Sequence, residues 1–401
     1  MMIDALLINP RISGNDKYPP LGLIYLAAYA EQEGFHVDIC DASALEMSDD
    51  EVLDIIRQLG PRCIGITFMT PQYSFALMLA GIIRKTFPGI FLIAGGIHPN
   101  VVPEDTLRRI PFLDCIVMGE GEITLVELLS ALRTGEAGKI SEIPGLAFMD
   151  KSKFVKTSPR PLISNLDILP MPAWSKLPIQ QYKVSQPTSR YEYSKGITLT
   201  ISSSRGCPYR CIFCCAHGVF GSGYRYRSPR LVADEIEYMV TNYNIRHFFF
   251  VDEVLFQRRD HILALAREII NRGLDICWAG NSRVNSPALD DDVLEYVAKA
   301  GCVRIDFGVE SGSPDIIKEI QKGITLPWIY ESHSKVQRYG LATTTLMMVG
   351  HPSESMEDIR ASIRLIAYLD SDYPEFGPAT PFPGTPLYEL AKESGWLRSD
   401  D

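Results

Sequence analysis

What most restricts the fold of this chain is a twice-repeated alternation of short apolar runs with longer stretches of helical apolar spacing. Ala5-Leu6-Leu7-Ile8, Val37-Asp38-Ile39, Cys63-Ile64-Gly65-Ile66, Ile90-Phe91-Leu92-Ile93 and Cys115-Ile116-Val117 read as strands. Leu21 to Gly34, Asp49 to Leu59, Tyr73 to Phe87 and Ile123 to Leu132 read as helices, with a short one near Thr106-Leu107. Strict strand–helix alternation implies a parallel, doubly wound sheet, which binds ligands beyond the carboxyl ends of its strands. Residues 135–196 break the pattern with Pro, Ser and Lys. There Ile143 to Phe148 reads as a small hairpin, and Ile168-Leu169-Pro170-Met171-Pro172 reads as extended connector, since proline biases its predecessor away from helix.

From Ile197 the alternation resumes with a longer period. Strands are expected at Ile197 to Ser203, His247 to Asp252, Asp275 to Gly280, Val303 to Val309, Thr343 to Val349 and Glu375 to Thr380, with helices between them. Six βα units predict a partial (β/α)6, TIM-like barrel with its functional residues at the carboxyl ends of the strands. The expected organisation is α/β: residues 1–140 a Rossmann-like doubly wound sheet, 141–196 a linker, and 197–401 the partial barrel. After Pro386 the sequence offers one further helix, Leu387 to Leu397, and then Arg398-Ser399-Asp400-Asp401, so a missing lid over the barrel mouth or a fragment is expected here.

The first barrel strand leads into Cys207-Pro208-Tyr209-Arg210-Cys211-Ile212-Phe213-Cys214. Three thiols on one loop can converge on a polynuclear metal centre, and three ligands leave one iron of a 4Fe-4S cluster open to a further ligand. A zinc site closed by Cys215 or His217 is the alternative. Polar residues gather at the other strand ends: Asp252-Glu253, Asn281-Ser282-Arg283, Glu310-Ser311-Gly312-Ser313 and Gly350-His351-Pro352. A carboxylate accepts both hydroxyls of a ribose diol, and arginine forks onto a carboxylate. In the first region the strand ends carry Asn9 to Asp16, Thr67-Phe68-Met69-Thr70, Gly95-Gly96-Ile97-His98-Pro99 and Gly119-Glu120-Gly121-Glu122. None fits the GxGxxG dinucleotide pattern.

The cysteine spacing, with Phe213 before the last thiol, resembles the radical S-adenosylmethionine superfamily. Pro19-Pro20-Leu21-Gly22 and the two glycine-rich strand ends resemble the cobalamin-binding domain that precedes many of its members. The resemblance implies that Cys207, Cys211 and Cys214 hold a 4Fe-4S cluster whose open iron chelates S-adenosylmethionine. It further implies that Glu310 and Ser311 contact the ribose or methionine part, that Arg283 takes the carboxylate, and that Gly350 backs the adenine. Asp252 and Glu253 would be the catalytic or substrate-facing acids. Cobalamin would meet Thr67, Thr70, Gly95, Gly96, Ile97, His98, Gly119, Glu120 and Gly121. It would sit base-off, because the loop Asn9 to Asp16 lacks the cobalt-ligating histidine of Asp-x-His-x-x-Gly domains. His98 stands where a ligand is conceivable, though a capping or packing role is the ordinary reading.

The implied activity is methyl transfer to an unactivated carbon of a small-molecule, lipid or peptide substrate, with an electron donor such as flavodoxin or ferredoxin. A non-methylating cyclase, dehydratase or rearrangement enzyme with a merely structural first domain is the second reading, and a cobalamin-binding sensor the third. A net charge of −10 argues against sequence-independent nucleic-acid binding. No apolar run reaches a membrane span, and nine cysteines without a secretory signal suggest a reducing cytoplasm.

Overall fold

The computed structural model describes residues 3–12, 14, 17–182 and 197–397, and its contacts divide the chain into two compact units. The first comprises Met1–Lys183 with Cys215–Gly221, the second Val184–Cys214 with Ser222–Asp401. Among the described residues no helix is long and apolar enough to cross a membrane.

The first unit is built from β1 (Ala5–Asn9), α1 (Leu21–Gln32), β2 (Val37–Asp41), α2 (Asp49–Leu59), β3 (Cys63–Thr67), α3 (Tyr73–Thr86) and β4 (Phe91–Gly95). It continues with α4 (Ile97–Val101), α5 (Pro103–Arg109), β5 (Cys115–Val117), α6 (Gly121–Thr134), β6 (Leu146–Asp150) and β7 (Lys153–Lys156). The sheet order is β2-β1-β3-β4-β5-β6-β7, with β1 to β5 parallel. Alternate strand residues face opposite layers, so both faces must be apolar. Leu6, Ile8, Ile64, Ile66 and Leu92 pack on one side with Val52, Leu79 and Ile83 of α2 and α3. Leu7, Cys63, Ile93 and Cys115 pack on the other with Ala27 and Leu128 of α1 and α6. Ser48 caps α2 in a reciprocal bond pattern with Glu51, and Gly60 ends it in the left-handed region. One feature departs from expectation. The hairpin β6–β7 pairs antiparallel with β5, so the sheet is mixed at that edge and the first unit runs on through the connector to Tyr182. Trp174, Leu177, Ile179 and Tyr182 of that connector are buried.

The second unit contains β8 (Thr198–Ile201), β9 (Ser204–Arg205), β10 (Arg225–Tyr226), α8 (Pro229–Tyr243), β11 (His247–Phe250), α9 (Arg259–Asn271), β12 (Cys277–Ser282), α10 (Asp291–Lys299) and β13 (Cys302–Glu310), while the short helix α7 (His217–Phe220) belongs with the first. It ends with α11 (Pro314–Glu319), α12 (Leu326–Arg338), β14 (Ala342–Val349), α13 (Met356–Leu369), β15 (Tyr373–Pro378) and α14 (Pro386–Glu393). Its six-stranded parallel sheet has the order β15-β14-β13-β12-β11-β8. Every unit adds its strand at the same edge, which is the winding of a barrel wall. Trp278 anchors the helix side, with its ring against Phe250 and Phe256 and its indole N–H donated to the Ala300 carbonyl at 2.9 Å.

Candidate active site

The cysteine loop is fixed before any metal is considered. At its base β9 and β10 pair antiparallel, and the buried Arg227 bonds both the Ser202 carbonyl and Glu235, the latter at 2.6 Å. Inside the loop Ile212 is the apolar pin. It packs with Ile316, Ile320 and Leu387, its N–H donates to the Ile320 carbonyl at 3.1 Å, and its carbonyl accepts the Leu387 N–H at 3.0 Å. Cys207, Cys211 and Cys214 are free and half-buried, whereas Cys40, Cys63, Cys115 and Cys302 are buried in the sheets. Among the described residues no three His, Cys, Asp or Glu groups are drawn together as around a single metal ion.

Arg283 and Glu310 both converge on this loop. The Arg283 guanidinium lies over the Tyr209 ring at 3.6 Å, 3.8 Å from Cys211 Sγ, and donates to the Lys322 carbonyl. Glu310 sits at φ +70°, where β13 shifts register against β14. Such a bulge re-aims a side chain at the cost of local strain. Its Oε1 accepts from Lys322 Nζ at 2.7 Å, and that ammonium also lies over the Phe213 ring at 5.6 Å. Gly308 leaves room for this pair, since a Cβ there would stand 2.7 Å from both charged atoms. Ser311 and the Gly312 N–H bond Ser362 on α13, and a Cβ on Gly312 would strike that helix's backbone. At Gly350, φ is +89° and its N–H donates to Glu354 at 2.6 Å. Both ring nitrogens of the neighbouring His351 are buried without a partner, as is Glu354 Oε1. Those orphaned atoms fit a loop that receives a hydrogen-bonding ligand.

The other candidate residues are bound into the protein in different ways. Asp252 is 1% exposed, and its carboxylate accepts from the Ser203 N–H and the hydroxyls of Ser203 and Ser204. Burial raises its pKa against those bonds, and it builds the turn into the cysteine loop. Glu253 remains more open. Burial, with the Asp252 charge adding, pushes its pKa to about 6. The Arg283 guanidinium reaches the cysteine loop, the Lys322 carbonyl and Asn285. Glu120 accepts the Ile163 N–H at 2.8 Å and so straps the connector. Gly96, at φ +95°, is glycine because a Cβ would meet the Phe68 carbonyl and Thr67 Oγ1 at 2.8 Å, within the loop itself.

The first unit's carboxyl-end loops form a second site. Gly119, at φ +70°, has open space where a Cβ would stand, as a large flat ligand requires, and its N–H donates to Asn100 Oδ1. Gly95 is nearly as open, while Gly121 touches Leu26 and Val117. His98, next to Ile97, is buried against Phe68 and Tyr73, with Nδ1 at 3.1 Å from Thr70 Oγ1. Burial lowers its pKa, which keeps the ring neutral. Thr67 closes on Gly96. Sequence reasoning missed three participants here: Asp41, Gln72 and Tyr182. Tyr182 donates to Asp41 Oδ2 at 2.6 Å, Asn9 donates to Asp41 Oδ1 at 2.9 Å, and Gln72 donates to Asn9 Oδ1 at 3.0 Å. The spaced apolar residues 174–182 were the available signal. Arg11 occupies the histidine place of the Asp-x-His-x-x-Gly spacing and pairs with Asp49 at 3.1 Å.

Comparison with known proteins finds a match for each unit. Residues 12–129 match the B12 binding domain model and residues 201–366 the radical SAM superfamily model. The chain is 34% identical to an uncharacterized methyltransferase of Pyrococcus horikoshii, over 93% of its own length and 78% of the relative's. It is 28% identical to the anaerobic magnesium-protoporphyrin IX monomethyl ester cyclase of Rubrivivax gelatinosus, over 94% of this chain and 67% of that one. The fold matches the structure of the radical S-adenosylmethionine methyltransferase TsrM from Kitasatospora setae, which has cobalamin and a 4Fe-4S cluster bound. The TM-score is 0.81 at 21% identity, covering 99% of this chain and 76% of that one. With its cysteine loop on a barrel wall and its glycine-edged first sheet, this chain belongs to the cobalamin-binding-domain-containing radical S-adenosylmethionine family.

Proposed function

We propose that the protein is a cobalamin-dependent radical S-adenosylmethionine methyltransferase acting on an unactivated carbon of a small-molecule, lipid or peptide substrate. The carrying observation is a cysteine loop braced by Arg283, Lys322 and Glu310 in a chain whose other sheet offers an open glycine edge. When bound, the cluster supplies the electron that cleaves S-adenosylmethionine, and the cobalamin supplies a methyl-carrying cobalt. Cys207, Cys211 and Cys214 would hold the cluster, with Arg283 as counter-charge beside Cys211. Glu310, Ser311 and the Gly350 loop would hold S-adenosylmethionine, while Gly95 and Gly119 would let the corrin approach the backbone. A low-potential donor of the flavodoxin or ferredoxin type, in the cytoplasm, would complete the system. The likeness to the Rubrivivax cyclase favours one second reading, a radical rearrangement without methyl transfer.

The test is anaerobic reconstitution with iron, sulfide and hydroxocobalamin, then reduction with methyl-labelled S-adenosylmethionine. About four irons per chain and release of 5′-deoxyadenosine are expected, with label entering the corrinoid. Cys214→Ala should abolish cleavage and Cys215→Ala should not. Cleavage surviving Cys214→Ala rejects the cluster assignment, whereas cleavage with no labelled corrinoid selects the second reading.

A further inference from the structure

At the base of the cysteine loop, β9 and β10 pair Tyr226 with Ser204 and Arg225 with Arg205. Carried on by one residue, that register sets Tyr224 opposite Gly206, the residue before Cys207. Opposite and diagonal neighbours on an antiparallel pair lie within reach of a long side chain. Gly206 has no side chain to stand between the Tyr224 ring and the first thiol. The ring is also fixed from its other side. It stacks on Tyr226 at 5.9 Å and 21°. Tyr226 in turn lies 4.7 Å from the His261 ring, with the Arg258 guanidinium over it at 5.6 Å.

The Tyr224 hydroxyl is the anomaly. Its oxygen is buried and has no hydrogen-bond partner among the described residues. Burial raises the phenol's pKa above the ordinary 10, so the group keeps its proton. Of the charges around it Cys207 acts on it most strongly, ahead of Tyr209 and Tyr226, with Arg283 opposing them. Arg283 is a donor that cannot accept, and the Tyr209 hydroxyl is turned to Gln257 at 3.1 Å. An O–H shut away from water without an acceptor is destabilising, and folded proteins keep few of them. The missing acceptor is one that a cluster would create. A free thiol accepts hydrogen bonds weakly, whereas a cysteine bound to iron is a thiolate carrying negative charge.

Resting on the cluster reading above, we propose that Tyr224 donates a hydrogen bond from its phenol to the Cys207 sulfur of the bound cluster and thereby raises the cluster's reduction potential. Hydrogen bonds to the sulfurs are among the factors that set such potentials. Reduction adds negative charge to the iron–sulfur core, so a donor stabilises the reduced form more than the oxidised one. The same hydroxyl therefore acts with opposite sign in the two states of the protein. It burdens the metal-free chain, where it is unsatisfied, and it bonds in the loaded chain.

Tyr224→Phe keeps the stacked ring and removes only the O–H. Wild type and variant, reconstituted anaerobically with iron and sulfide, should hold the same iron, about four per chain. They would be titrated with a reductant in the absence of S-adenosylmethionine, with the reduced cluster followed by paramagnetic resonance. At a fixed potential the ratio of reduced to oxidised cluster should fall about tenfold in the variant, a shift of about 59 mV for one electron. Pulsed resonance after exchange into heavy water should show one exchangeable proton coupling in the wild type that the variant lacks. Free of metal, the variant should melt at or above the wild-type temperature, because no bond is lost with the hydroxyl. An unchanged potential, or a coupling that survives in the variant, overturns the assignment. A metal-free variant melting below the wild type overturns it as well, since the phenol then has a partner in the protein. So does a variant that no longer takes up iron, which would make Tyr224 a support of the loop's shape. Failure of the wild type to hold a cluster is a different result: it removes the cluster reading itself, and the assignment with it.

Discussion

The two parallel sheets use unlike means at their carboxyl edges. In the second unit the edge is held by charges: Glu310 on Lys322, and Arg283 against Cys211. Deeper on the same strand the buried Arg304 and Asp306 form a two-pronged pair at 2.6 and 2.9 Å. In the first unit the edge is glycine backbone and a relay of amides and a phenol that meets one carboxylate, Asp41. The contrast follows what each edge would face. A cluster and an amino acid cofactor present concentrated charge, which buried ions and forks recognise, while a corrinoid presents a broad plane, which shape recognises.

This contrast can be broken by substitution. Lys322→Met leaves the Glu310 carboxylate buried without its cation and should cost about 3–5 kcal/mol of stability in denaturant titration. Adding Glu310→Leu should recover most of that loss. Tyr182→Phe removes one hydrogen bond from a buried carboxylate and should cost about 1.5–3 kcal/mol. Were the two losses equal, the distinction between an edge held by ion pairs and one held by hydrogen bonds to a lone carboxylate would fall.

The smallest effect concerns pH. Burial lowers the pKa of His98 below its ordinary 6.5, so the unfolded chain takes up a proton that the folded one refuses. The contribution of neutral His98 is therefore present above about 6.5 and lost as pH falls beneath it. His98→Gln, which keeps a polar group near Thr70, should flatten the decline in melting temperature between roughly pH 6.5 and 5. An identical slope in the two proteins would show that His98 is not held neutral.

How much of this was legible beforehand depended on the distance over which each feature is written. Cysteine ligands to one cluster must lie close along the chain, so Cys207, Cys211 and Cys214 declare themselves in eight residues. Glu310 was visible as an acid ending a strand, but its partner Lys322 lies twelve residues on, beyond a helix that composition did not reveal. Tyr182 and Asp41 are 141 residues apart, and no local pattern couples them. Asp252 was legible as an acid ending a strand, while its bonds to Ser203 and Ser204 belong to the fold alone. The β6–β7 hairpin was readable locally, yet its pairing with β5 is a tertiary fact. Gly96 shows the same limit, since its clash with Phe68 and Thr67 belongs to the protein and not to a ligand.

The pin at Ile212 bears on how this protein would survive air. A cysteine loop shaped only by its metal collapses when oxygen strips the iron, and the liberated thiols then wander and cross-link. Here two main-chain bonds and an isoleucine seated among Ile316, Ile320 and Leu387 brace the loop through the protein itself. Loss of the cluster would take away the metal's share of that bracing and leave the share carried by Ile212 and its neighbours.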